Sequence, residues 1–196
     1  MKITLLFITS LFMLSAVKTD DTVERLNVKG PLEFNNTKFH LKWSDVPRDG
    51  YYIQEYLPKK ENLEDFSQMI TIHLFDMGVS IDDALGQKIK ELEKRKENDP
   101  ICNYQMIESP DGDEFIIDFL LGESENDEMK LVEFNIYRYK EVKVEKGKEA
   151  VLIYAYTKRS YSEDIKGFFS TLKSERQSHL EEMTSIELPK IKLIEK

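Results

Sequence analysis

The chain has 196 residues, a hydrophobic fraction of 40%, an aromatic fraction of 11% and a formal charge of −9. That much apolar material supports a folded core of single-domain size and excludes global disorder. The acidic balance, with no compact basic stripe to offset it, argues against nucleic-acid partners and anionic membranes.

Met1-Lys2 supplies a short positive start, Ile3 to Ala16 is almost wholly apolar, and polar sequence follows from Lys18. This is the pattern of a secretory signal peptide. The apolar run is shorter than the roughly 20 residues that span a bilayer. The reading is a signal peptide over residues 1–18, cut between about 16 and 19, with export to the periplasm or beyond and no stable membrane insertion afterwards. Residues 19–31 read as a flexible leader, 32–188 as a single α+β domain and 189–196 as a frayed tail.

Leu32-Glu33-Phe34 and Phe39 to Trp43 flank Asn35-Asn36-Thr37-Lys38, a hairpin with a polar turn that is also a glycosylation sequon. Val46-Pro47-Arg48-Asp49-Gly50 is turn chemistry. Tyr51 to Leu57 follows as a strand stopped by Pro58, and the charged residues 59–66 read as a loop or a single helical turn. Met69 to Phe75 alternates, with Ile70, Ile72 and Leu74 on one face and Thr71, His73 and Phe75 on the other.

Ser80 with Asp83 predicts a helix N-cap, and Ile81, Ala84, Leu85, Ile89 and Leu92 form its apolar stripe up to Asn98-Asp99-Pro100. Four strands are predicted next: Cys102 to Glu108, Phe115 to Leu121, Met129 to Val144 and Ala150 to Thr157. Their short polar links point to an antiparallel meander. A second helix starts near Ser160 or Ser162 with the stripe Ile165, Phe168, Phe169 and Leu172, and Ile191 and Leu193 in the tail suit an added edge strand. The expected architecture is an antiparallel sheet of about six or seven strands flanked by two main helices, an α/β/α sandwich.

The stretch Tyr51-Tyr52-Ile53-Gln54-Glu55-Tyr56-Leu57-Pro58, followed by Phe66-Ser67-Gln68-Met69-Ile70-Thr71, resembles small exported bacterial proteins of uncharacterised role. The order of elements is similar to the PsbP/Mog-type fold, which includes the DcrB proteins, although Phe66 stands where a tryptophan is expected. Members of that fold act as photosystem accessory proteins, small-GTPase regulators or chaperone-like envelope factors. The resemblance implies binding or assembly rather than a reaction.

No zinc spacing, nucleophile elbow or phosphate loop occurs, so neither a cofactor nor a metal is expected. Cys102 reads as a small buried apolar residue. Of the three histidines, His40, His73 and His179, only His73 suits a catalytic base. The acidic turns Asp111-Gly112-Asp113-Glu114 and Glu123, Glu125, Asp127, Glu128 offer hard oxygens for calcium. Tyr137 and Tyr139 share one strand face and Tyr154 and Tyr156 share another, which predicts a tyrosine-lined groove for an apolar peptide, protein or lipid-like ligand. The leading expectation is an exported, non-enzymatic, chaperone-like binding protein. A hydrolase assembled around His73 and a calcium-dependent interaction protein stay open beside it.

Overall fold

The computed structural model describes residues 22–144 and 147–194; the expected signal peptide lies outside them. The chain runs β1 (Leu32–Phe34), β2 (Thr37–Arg48), β3 (Tyr51–Pro58), β4 (Gln68–Phe75), α1 (Ile81–Arg95), β5 (Asn103–Glu108), β6 (Glu114–Glu125), β7 (Glu128–Lys143), β8 (Glu149–Tyr161) and α2 (Ile165–Ser185). All strand pairs are antiparallel, in the order β1-β2-β3-β4-β8-β7-β6-β5. Two four-stranded meanders therefore meet at the β4–β8 pair. Helix α1 carries the chain from the middle of the sheet to its far edge.

Local chemistry sets the turns. Asn35-Asn36 and Asn126-Asp127 each place two consecutive residues at positive φ, the geometry of a tight two-residue hairpin. Gly50 has φ +75°, and a Cβ there would stand 2.7 Å from the Asp76 carbonyl oxygen, so only glycine closes the β2–β3 turn without strain. Ser80 caps α1 by accepting from the Asp83 amide at 3.1 Å. Helix α2 is stopped by a side chain: Arg138 Nη1 donates to the carbonyls of Met183 and Ile186 at 2.8 and 2.9 Å.

The expected α/β/α sandwich of six or seven strands does not hold. The sheet has eight strands and curls into a half-barrel, with 46% of the described residues in strands and 23% in helices. Strand length explains the difference. β2, β6, β7 and β8 contain 12, 12, 16 and 13 residues, against a usual run of about 5–6. Long strands accumulate twist, and irregular register at Leu41/Trp43, Asp45/Arg48 and Glu123/Ser124 adds bends. Pro47 lies within β2 at one of these irregularities, where the missing N–H does least harm. A helix of 15 residues is only about 22 Å long and covers part of one face.

The chain ends also differ from expectation. Leu26 is fully buried and Val28 nearly so. The Arg25 and Leu26 carbonyls accept from the amides of Ile194 and Lys192, each at 3.0 Å. The stretch expected to be a flexible leader is thus held from Arg25 onward, and the stretch expected to fray pairs with it. The alternation of Leu26 and Val28 with Ile191 and Leu193 is the cause, since all four join the same apolar cluster.

Two cores result. On one face, Ile70, Ile72, Phe134, Ile136, Tyr154 and Tyr156 pack with Phe168, Leu172 and Met183 of α2. On the other, Phe75, Ile117, Phe119, Tyr139 and Ile153 pack with Ile81, Leu85 and Leu92 of α1.

Candidate functional site

Strand register arranges an unusual set of side chains on the α1 face. Trp43, Glu55, Thr71, Ala155 and Tyr137 follow one another across β2, β3, β4, β8 and β7. The row on one side is Met69, Thr157, Asn135 and Phe119; on the other it is Ile53, His73, Ile153 and Tyr139. Positions alternating in phase with a core are normally apolar. Here they carry Thr71, His73, Asn135, Glu133 and Thr157, each at most 9% exposed.

Most of these groups satisfy one another. Glu133 accepts from Arg159 Nε at 2.7 Å, and the Arg159 guanidinium lies 3.9 Å over the Phe66 ring. Thr157 Oγ1 donates to Asn135 Oδ1 at 2.7 Å. From α1, Lys88 Nζ pairs with Glu91 at 2.9 Å and sits 5.4 Å from the Tyr137 ring centre.

Three groups lack a partner among the described residues, the first being the buried Tyr139 hydroxyl. Asn135 Nδ2 is buried and meets no acceptor among the described residues. Glu55 receives no hydrogen bond or ion pair from a described side chain. Its carboxyl is pushed up to about 7 by burial, with the nearby Arg159 charge opposing the rise. Burial likewise raises the Tyr137 phenol, with Glu91, Glu133, Tyr51 and Glu55 adding to the effect. Three of those four neighbours, Glu91, Glu133 and Glu55, are carboxyls that gather around Tyr137.

The expected tyrosine groove does not form. Tyr137 stands opposite Ala155 and Tyr139 opposite Ile153, whereas Tyr154 faces Arg138 and Tyr156 faces Ile136. One pair therefore belongs to the α1 face and the other to the α2 face. Tyr139, Tyr154 and Tyr156 are at most 1% exposed, so they are core side chains.

His73 Nδ1 shares a 3.0 Å hydrogen bond with the Tyr51 hydroxyl, and its ring stacks beside Tyr51 and Phe75. Burial, assisted by the Lys88 charge, lowers it to about 3, so the imidazole stays neutral and its polar partner is a phenol. His179 belongs to α2, is 1% exposed, and lies 3.0 Å from Asn35 Nδ2 through Nε2. Cys102 is buried, with Sγ 3.6 Å from the Leu92 carbonyl, and burial raises its thiol.

The two acidic turns lie at opposite ends of β6. Glu114 is committed to Arg138 and Lys140, and Asp113 accepts from Ser109 Oγ at 2.8 Å. Among the described residues, no three His, Cys, Asp or Glu side chains group as metal ligands. Sequence reasoning passed over Glu55, Asn135, Thr157 and Arg159. The available signal was the phase of Glu133-x-Asn135-x-Tyr137, polar residues sharing a strand face with buried Tyr139.

The chain belongs to an uncharacterised protein family, whose model matches residues 26–188. No curated protein and no solved structure matches it, and nothing in these comparisons supports the PsbP/Mog-type resemblance. No helix among the described residues is long and apolar enough to cross a membrane.

Proposed function

We propose that this chain is an exported, non-catalytic binding protein, and that its ligand brings a cationic nitrogen to Glu55. The observation that carries the reading is the leftover carboxyl: Arg159 is committed to Glu133 and Lys88 pairs with Glu91, while Glu55 forms no ion pair among the described residues. A cation arriving there would replace the missing partner and favour the ionised form. Trp43 lies across from Glu55 on β2, and Tyr51 lies four residues before it on the same face of β3, with Ile53 between. The orphan Asn135 amide favours a ligand that also presents an oxygen acceptor. Export rests on the apolar run after Met1-Lys2. An apolar ligand loses its main support, because the four tyrosines divide between two cores.

The pH dependence follows from the surroundings of Glu55: Asp45 on β2, His73 on β4, Arg159 on β8, Glu133 and Tyr137 on β7, and Lys88 with Glu91 on α1. Since Glu55 ionises near 7, affinity for a cation should rise between pH 6 and pH 8. Thermal-shift titration with primary amines, amino alcohols and quaternary ammonium compounds tests this. A stabilisation that grows with pH in the native protein and vanishes in Glu55→Gln supports the reading. No shift with any compound, or equal shifts in Glu55→Gln, removes it.

A further inference from the structure

We propose that two copies of this chain associate edge to edge through β5, antiparallel, with each Gln105 facing its own counterpart across a twofold axis.

The two edges of the sheet are built differently. Natural sheets protect an edge with a short strand, proline, lysine, a bulge or a cover. β1 has three residues, follows Pro31, and has its turn tied to α2 by the Asn35 amide donating to Glu182 at 2.6 Å. β5 has six residues, contains neither proline nor lysine, and pairs with β6 in unbroken register from Asn103–Leu120 to Glu108–Phe115. Its outer edge meets no described strand. Met106 and Ile107 are 47% and 46% exposed, and being consecutive they point to opposite faces.

Face parity limits the registers. Residues directly opposed in an antiparallel pair point to the same side, so the axis passes through a residue, and Gln105 and Met106 are the two positions that overlap most of β5. With Gln105 on the axis, Met106 of the second copy lies opposite Tyr104, a sulfur–aromatic pairing. The Tyr104 ring is held on the α1 side by Lys96 at 4.3 Å. On the α2 side, the second copy's Ile107 lies opposite Asn103. Asn103 and Gln105 border a pocket of about 80 Å³ whose walls include Leu120, Phe134 and Leu172. Met106 thus meets an aromatic ring, Ile107 lies beside a pocket of mixed polar and apolar walls, and the two Glu108 carboxylates fall at opposite ends of the joint. With Met106 on the axis instead, Tyr104 would face Glu108 and Ile107 would face Gln105. The first register is the one the side chains favour.

Six residues per copy bury less than the roughly 800 Å² per partner of a standard interface, so the association is weak. Each copy carries a formal charge of −9, and added salt should strengthen pairing by screening the repulsion.

Sedimentation velocity of the purified protein at rising concentration tests the inference. A monomer–dimer shift that increases with salt, and is lost in Met106→Lys/Ile107→Lys without a change in melting temperature, supports it. A protein that stays monomeric into the millimolar range at high salt overturns it. Oxidation of Gln105→Cys and Met106→Cys variants reads the register independently. Faster disulfide-linked dimer formation by Gln105→Cys supports the assigned axis, and faster formation by Met106→Cys overturns it.

Discussion

The two faces of the sheet bury themselves by different means. On the α2 face the layer is mainly hydrocarbon, and its ionic groups are paired: Asp118 accepts twice from Arg176, at 2.7 and 2.8 Å, and Arg138 closes the end of α2. On the α1 face the same alternation brings an amide, hydroxyls, an imidazole and the Glu133 carboxyl into a buried layer, with Glu55 partly buried beside them. An apolar layer is specified by volume, whereas a polar layer is specified by its count of partners. On the α1 face the count fails at the Asn135 amide and the Tyr139 hydroxyl, and Glu55 forms no ion pair among the described residues; on the α2 face it fails at the Tyr154 hydroxyl and His179 Nδ1.

The contrast can be broken or sharpened by mutation. The largest effect is expected on the hydrocarbon side. Phe134 is 1% exposed, and Phe134→Ala should cost about 3–5 kcal/mol in chemical denaturation. A much smaller loss would mean that the α2 face is loosely packed.

The α1 face should answer to pH instead. His73 has a lowered native value of about 3 against 6.5 for the free group. Its contribution is present above 6.5 and lost as pH falls through that window toward 3. The acid limb of the stability profile should therefore flatten in His73→Gln, even as loss of the Tyr51 bond costs about 1 kcal/mol near neutrality.

Glu55 works in the opposite sense. Its native value is raised from 4.5 to about 7, so its contribution is intact below 4.5 and lost as pH rises through 7. Glu55→Gln should match the native protein at pH 4 and exceed it at pH 8. The gain is at most about 3 kcal/mol, and less because solvent still reaches the side chain. Equal melting temperatures for the two proteins at both pH values would contradict the isolation of this carboxyl.

The smallest effects separate two neighbouring tyrosines. Tyr156 donates to Gln68 at 2.9 Å, while the buried Tyr154 hydroxyl has no partner among the described residues. Tyr156→Phe should lose about 1 kcal/mol, and Tyr154→Phe should gain up to about the same. Calorimetric melting of both variants checks the signs.

Much of the secondary structure was legible because its signals are local. The Ser80 cap, the Ile81 to Leu92 stripe and the alternation in Met69 to Phe75 depend on residues a few positions apart. Curvature was not legible, since it builds up along strands whose bulges sit at Leu41/Trp43 and Asp45/Arg48, and Pro47 reads locally as a turn. The candidate site was hidden for a related reason. Tyr137, Tyr139, Tyr154 and Tyr156 look like neighbours in sequence, yet the register between β7 and β8 sends the pairs to opposite faces. Glu55 becomes notable only once the register of the neighbouring strands shows that no described side chain forms an ion pair with it.

The most direct measurement is a carbon-detected NMR titration of the Glu55 side chain in the ligand-free protein. A midpoint near 7 is expected. A midpoint near the ordinary value of 4.5 would mean that water or an unrecognised partner already satisfies this carboxyl, and the proposed binding site would fall with it.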